Sequence, residues 1–436
     1  MDWKELYKSK LTSCEEAVKM VKSGDRLWIS PCASAPIDLV NALCQRYEEL
    51  KDVHVYSGLA MYPYDFMKPN YKGHIDYHVY FMGPVERKFM PMGNVEVTSV
   101  HFSQFDHYML NEAKPNVCFL DVSEPDERGY MSYGAIGTGS NAIAVSHADR
   151  IVVQVNKYEP YVYGEKNIIH TSEVDCICEK DHPLPQLPDA PATELERKIA
   201  SYMIPLIPDG ATVQIGLGGI ANAVGYALED KKDLGIHTEM LTNSMVHLAK
   251  KGVINCRKKN HNPGKIVCGF GIGTTELYEF MHKNPLVHSA PIHEVNNIEN
   301  IAKNDNFISI NNALLVDLTG QVCSESLGFK QFSCTGGQLD FVKAAALSKG
   351  GKSFIALSST VKTKNGGVES KISLTLPPGT AVSTPRADVM YVVTEYGIAD
   401  IYQKSIDNRV KALIQIAHPD FREQLTTQAK EAGLLY

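Results

Sequence analysis

The stretch VQIGLGGIANAV (213–224), followed by GIHTEM (235–240), decides how this chain is read. A β-branched run enters Gly216, Gly218 and Gly219 and leaves with helical spacing. Such glycines permit tight or positive-φ turns and let a ligand approach the backbone closely. The N–H groups that open the helix at Ile220 can receive negative charge. Taken alone, GxGxxA is also an ordinary strand-to-helix turn. About 20 residues past the loop stands Glu239, and an acid at that distance can hold the ribose of a dinucleotide. It can equally be a nucleophile facing a thioester carbonyl held over the glycine loop, or a structural carboxylate. His237, two residues away, shares its face if the strand is regular; a core or surface role explains it without chemistry.

Two more strand-to-helix turns follow. In IVCGFGIGTTELYEF (266–280), Thr274 or Thr275 can cap and Glu276 favours the first turn. In FSCTGGQLDFVKAA (332–345), Gly336-Gly337 precede a helix pattern. Three such loops in one half imply a crevice at the carboxyl ends of a parallel sheet. Apolar runs at 26–30, 53–56, 117–122, 151–155, 212–216, 236–241, 265–270, 307–316, 354–358 and 389–394 alternate with helical patterns such as 36–50 and 141–147. That alternation predicts α/β architecture with mostly parallel sheets.

The halves also look alike. SGDRLWISPCASAPIDLVNAL (23–43) lines up with PDGATVQIGLGGIANAVGYAL (208–228), DVHVYS (52–57) with GIHTEM, and PDERGYM (125–131) with VDLTGQV (316–322). A duplicated α/β unit follows. Ser30, Cys32 and Ala33 then fall opposite the loop glycines, and Tyr56 falls opposite Glu239. Between the halves, HPLPQLPDAP (182–191) reads as a stiff polar linker. Domains are therefore expected at 1–185 and 192–436, with the second starting on a helix that Thr193 caps.

Composition narrows the function classes. The 436 residues suggest about two or three domains. A formal net charge of -7 gives a nucleic-acid partner no electrostatic support. Ten cysteines without framework spacing fit buried thiols in a reducing, cytoplasmic compartment. Cys176 and Cys178, with His182 near, lack a fourth ligand and paired spacing, so an edge strand is expected there and no metal. No apolar run approaches the ~18 residues of a membrane span, and GxSxG and HExxH are absent.

Longer motifs add a resemblance. VSEPDERGYMSYG (122–134), VQIGLGGIANAV, LGIHTEMLTNSM (234–245), SESLGFKQFSCTGGQLDFV (324–342), TPRADVMYVVTEYGIADI (384–401) and IAHPDFREQL (416–425) resemble the acetyl-CoA hydrolase/transferase family of class I CoA-transferases. The 4-hydroxybutyrate and butyryl-CoA:acetate CoA-transferases look most similar, and the resemblance covers nearly the whole chain. It implies two similar open α/β domains of the NagB/RpiA/CoA-transferase-like kind with the active site between them. It also implies that Glu239 is the nucleophile. Gln214, Gly216, Leu217, Gly218, Gly219, Ile220, Leu314, Gly336 and Gly337 match positions that contact CoA or form the oxyanion hole, for which the Gly337 N–H is the candidate. Ala221 stands where proline is common in the family loop. Gln104, in HFSQFD, is the candidate for an oxyanion-hole glutamine supplied by more distant members. Lys362 and Lys364 are candidates for the CoA phosphates, or plain solvated loop lysines.

The activity so implied is transfer of CoA between an acyl-CoA and a short-chain carboxylate through a covalent glutamyl thioester. CoA is a substrate, with no metal, nicotinamide, nucleic acid or membrane, and a homodimer or larger homo-oligomer is the family's suggestion. Hydrolysis of acyl-CoA on the same site, an NAD-dependent Rossmann dehydrogenase and a non-catalytic CoA-binding module are the alternatives.

Overall fold

A computed structural model describes residues 2–363 and 365–435, without the side chain of Thr138. Lys364, one of the two candidate phosphate lysines, lies outside the described residues. The first half builds strands β1 (Arg26–Ile29), β2 (Val53–Ser57), β3 (Ile75–Val79), β4 (Val95–Val97), β5 (Val117–Val122), β6 (Arg150–Val155) and β7 (Cys176–Glu179). They form one sheet in the order β4-β3-β2-β1-β5-β6-β7, and every pairing in it is parallel. β5 is buried along its whole length, as expected of a strand covered on both faces.

The second half builds β8 (Thr212–Ile215), β9 (Gly235–Leu241), β10 (Ile266–Gly271), β11 (Val287–Ser289), β12 (Phe307–Asn312), β13 (Lys352–Ala356), β14 (Tyr391–Thr394) and β15 (Gly397–Asp400). Their order is β11-β10-β9-β8-β12-β13-β14-β15. In each sheet the first strand is central, the next three lie on one side and the following three on the other; only antiparallel β15 is extra. The duplication expected from sequence is present as identical strand order.

Local chemistry repeats as well. Asp126 accepts the N–H of Arg128 and Tyr130 in a turn closed by Gly129 at φ +87°, and Asp317 accepts those of Thr319 and Gln321 in a turn closed by Gly320 at φ +95°. Cys32 takes φ +57° at the position that Gly218 fills with φ +118°. One detail of the alignment shifts. Sheet register pairs Leu27 with Val55 and Val213 with Ile236, so Glu239 corresponds to Gly58 and His237 to Tyr56. A two-residue slide keeps the inward and outward alternation of a strand, so pattern alone does not detect it.

The expected run 307–316 divides into β12 and a short strand, Leu315–Asp317, that leaves the sheet. β3, β4 and β11 were not expected; each has polar positions that blur the apolar run, as in IDYHV and VHS. Cys176 and Cys178 do lie on an edge strand, β7. The linker is extended but anchored. Tyr278 donates to Pro185 O at 2.7 Å and Leu187 N–H to Gly273 O at 2.8 Å. The helix Glu194–Met203 begins on Thr193 in a reciprocal cap with Glu196.

By contact density the chain forms two units, one of residues 1–188, 239–243 and 267–295, the other of 189–238, 244–266 and 296–436. The first has a core around Trp28, fully buried, whose indole N–H donates to Asn141 at 2.9 Å and whose ring stacks on Tyr80. The second packs Val316, Val342, Ile355, Val392 and Leu413 into its own core.

A partly buried ion pair joins the start of β1 to the start of β6. Asp25 meets Arg150 through both carboxylate oxygens, at 2.7 and 3.1 Å, and also accepts from Lys22 N–H and Asn116. Burial would raise the Asp25 pKa, but the Arg150 hydrogen bond and the two other donors outweigh it and hold the carboxyl below its ordinary value. Asp25→Ala, which leaves the half-buried Arg150 guanidinium without its carboxylate, is expected to cost about 1–3 kcal/mol, read from urea denaturation. The wild-type contribution is present above the unfolded carboxyl pKa of about 4 and disappears as pH falls through the lower folded value.

Candidate functional site

The glycine loop after β8 is shaped by what lies against it. Gly216 N–H donates to Ile310 O at 2.9 Å, and a Cβ on Gly216 would come 2.9 Å from Asn311 Oδ1. A Cβ on Gly218 would come 2.3 Å from Asn312 Nδ2, and one on Gly219 would come 1.8 Å from Glu196 Oε1. Asn312 Nδ2 donates to Leu217 O at 2.7 Å and so pins the loop tip. Gln214 is buried and its amide is engaged by β12: it accepts from Ser309 at 2.8 Å and exchanges bonds with Asn311 at 3.2 Å. Leu217, Gly218 and Gly219 are exposed, Ile220 is half-buried, and the helix Gly219–Ala227 starts with its free N–H groups at the loop. Gly218→Ala meets both a positive φ and Asn312, so a loss of about 1–3 kcal/mol is expected in thermal denaturation.

Leu314, half-buried, donates its N–H to Cys323 O at 2.8 Å where the chain leaves β12. Gly336, at φ +60°, and Gly337 are buried at the start of the helix Gln338–Leu347, with Gly337 as its N-cap. The turn before them rests on Glu325. Its carboxylate accepts from Thr335 at 3.2 Å and Ser383 at 2.8 Å, and its carbonyl accepts the N–H of Phe332 and Ser333. Gln338 donates to Thr384 at 3.0 Å. The motifs at 324–342 and 384–401 thus meet and support the double glycine. Gln104 is exposed in a 3-10 turn, and Lys362 is exposed in the hairpin strand Thr360–Lys362.

Glu239 lies in the other contact unit. On β9 every residue but Glu239 is buried, and Glu239 is half-buried. His237 is buried. A Cβ on Gly269 would come 3.1 Å from the Glu239 carbonyl, and one on Gly139 would come 3.0 Å from the Gly269 carbonyl. Two glycines thus let backbone close on backbone behind the acid. Burial raises the thiol of Cys32, which is in a left-handed conformation, well above the usual range, and the charges of Glu86 and then Glu239 raise it further. Glu86 is itself buried and accepts from Ala60 N–H at 2.6 Å and Gly83 N–H at 2.9 Å, which ties together the loops after β2 and β3.

A second acidic cluster in this unit has no motif in the sequence. Asp121, at the end of β5, and Glu159 are buried, and His182 Nε2 lies 3.2 Å from Asp121 Oδ2. Asn156 donates to Asp121 at 3.0 Å, and Ala135 N–H donates to Glu159 at 3.2 Å. Burial and then the Asp121 charge push Glu159 well above the ordinary carboxylate range. Burial also raises Asp121, opposed by His182 and Asn156. His182 is raised because the Asp121 hydrogen bond and charge outweigh its desolvation. Two neighbouring carboxyls in a dry site resist ionising together, so Glu159 holds its proton to higher pH than an ordinary glutamate. Burial, Asp121 and Glu159 also hold the Tyr62 phenol at about 12, so it stays a donor.

The raised Glu159 pKa has a definite sign. The folded state holds a proton that the unfolded state gives up above about 4.3, so stability falls as pH rises toward the folded value. Glu159→Gln, which carries that donor permanently, is expected to flatten the decline in urea midpoint as pH rises above about 4.3.

Residues 1–188 match the acetyl-CoA hydrolase/transferase N-terminal domain, and residues 273–429 match the C-terminal domain of the same family. The chain belongs to the acetyl-CoA hydrolase/transferase family. It is an enzyme of the CoA-transferase class. It is 41% identical to the 4-hydroxybutyrate coenzyme A transferase of Clostridium kluyveri, over 99% of this chain and 100% of that one. It is 40% identical to the butyryl-CoA:acetate CoA-transferase of Anaerostipes caccae, over 100% and 99%. RipA from Yersinia pestis superposes with a TM-score of 0.94 at 36% identity, with both chains covered completely. Glu239 and the loop at 213–224 fall between the two matched domains, inside the span aligned to these relatives. No helix among the described residues is long and apolar enough to cross a membrane.

Proposed function

We propose that this enzyme moves CoA between an acyl-CoA and a short-chain carboxylate by a ping-pong reaction through a glutamyl-CoA thioester on Glu239. The observation that carries this reading is that Glu239 alone on its strand keeps access to water. A carboxylate nucleophile must reach its substrate, and in its ionised form it needs no base to attack a thioester. Relatives named for 4-hydroxybutyrate and for butyryl-CoA and acetate support short linear acids as substrates.

A Glu239 oxygen attacks the thioester carbonyl; the C–S bond breaks, leaving an enzyme-acyl anhydride and CoA thiolate. The thiolate then attacks the glutamyl carbonyl, expelling the carboxylate product and leaving glutamyl-CoA. An incoming carboxylate reverses both steps. Each tetrahedral oxyanion needs an aimed donor, worth about 3 kcal/mol, and that role is assigned to the N–H of Gly337. Gln214, the loop 216–220, Leu314 and Gly336 are assigned to CoA, with the exposed helix start at Gly219 receiving its negative groups. Domains at 1–185 and 192–436, a cytoplasmic location and a homodimer or larger homo-oligomer belong to the same reading.

The family description includes hydrolases, so a second reading lets water take the glutamyl thioester. Acid release from acyl-CoA without an acceptor carboxylate separates the two. For Glu239, incubation with butyryl-CoA and then borohydride is expected to reduce the thioester and inactivate the enzyme, with the altered mass on the peptide that holds Glu239. Glu239→Ala is expected to lower kcat/KM by at least ~10³-fold; full activity in that variant sinks the mechanism.

A further inference from the structure

Outside the glutamate site, two sulfur atoms face each other. Cys14 opens the short helix Cys14–Ala17, and Cys178 lies on edge strand β7. Their Sγ atoms are 2.7 Å apart, and both residues are 1% exposed. The approach is imposed by backbone. Thr12 N–H donates to Ile177 O at 2.9 Å, and Leu11 bridges Ile177, so residues 11–14 run along the strand. Ser13 then caps the helix by accepting Glu16 N–H, which fixes where Cys14 points.

We infer that Cys14 and Cys178 are a dithiol pair that closes to a disulfide on exchange with a low-molecular-weight disulfide such as oxidised glutathione. Nothing in the transferase reaction uses either thiol. A cavity of about 690 Å³ is lined by Cys14 together with Val18, Asp38, Arg46 and Lys180, which places a space for a small oxidant beside this residue. Cys178 is the partner that keeps its proton, because the hydrogen bond to Cys14 and then burial raise it. Cys14, which lines the cavity where Cys178 does not, is the attacking group. Its thiolate displaces one thiol from the small disulfide and forms a mixed disulfide. Cys178 then loses its proton, attacks Cys14 Sγ and expels the second thiol. Two protein S–H groups become one S–S bond, and the oxidant takes both electrons as two thiols.

Cys176 makes the assignment demanding. It shares the face of β7 with Cys178, and its sulfur lies 3.3 Å from Met20 Sδ. The pairing therefore predicts one bond among two nearby candidates. The closed bond ties the amino-terminal segment to the sheet edge across most of the first half, and a crosslink over so long a loop removes much unfolded-chain entropy.

The test uses the full chain, exposed to oxidised glutathione or to dithiothreitol, alkylated, and digested with trypsin without reduction. The expected product is peptide 11–19 joined to peptide 167–180, with fragmentation placing the bond on Cys178 and leaving Cys176 alkylated. Oxidation is expected to raise Tm by about 5 °C. Cys176→Ser keeps the link, whereas Cys14→Ser and Cys178→Ser each lose it. Recovery of Cys14 and Cys178 both alkylated after oxidation, a stable glutathione adduct on Cys14, or a Cys14–Cys176 bond overturns the inference. The wild-type peptide map decides the matter even if a variant fails to fold.

Discussion

A carboxylate stays charged on an interior strand only where it reaches water, since the cost of drying a lone charge far exceeds what packing returns. β9 lies between two other strands and is buried everywhere except at Glu239. Much of the surrounding architecture answers to that constraint. Parallel strands covered on both faces deliver polar groups to solvent at their carboxyl ends, where the connecting loops open. Glycines at 269 and 139 allow backbone to close behind the acid without a side chain filling the space in front of it.

The duplicated halves solve one loop problem in two ways. The second half places Gly218 at positive φ; the first places Cys32 in the left-handed region at the matching position. A non-glycine residue there costs of order 1–3 kcal/mol and persists only where its surroundings fix it. Here they do: Cys32 is buried, and the loops around it are tied by the Glu86 carboxylate. The first half has a buried cysteine where the second has an exposed glycine. The second keeps the loop with its exposed helix start.

Buried acids recur in the first half with distinct outcomes. Asp25 has an arginine and stays ionised; Glu159 neighbours Asp121 and holds its proton to higher pH; Glu86 is ringed by backbone N–H groups. Each ties a loop or strand end, and the different protonation states follow from which partner is within reach. Glu239 differs from these acids in lying half-buried on a strand whose other residues are all buried.

Much of this was legible in the chain itself. Alternating apolar runs gave the α/β class, and the paired segments around 23–43 and 208–228 gave the duplication, because strand burial and turn chemistry are local patterns. The loop at 213–224, the acid at 239 and the double glycine at 336–337 stood out for the same reason. Tertiary structure decided the rest. It set Glu239 opposite Gly58, since register is a contact between strands and a two-residue slide leaves the pattern unchanged. It showed that the loop glycines also make room for Asn311, Asn312 and Glu196, and that Gln214 is held by its neighbouring strand. It assembled Asp121, Glu159 and His182, and brought Cys14 to Cys178, from positions far apart in sequence. Composition and spacing determine which residues can fold and which can react; only the folded chain determines which of them meet, because proximity across long loops leaves no periodic trace in the sequence.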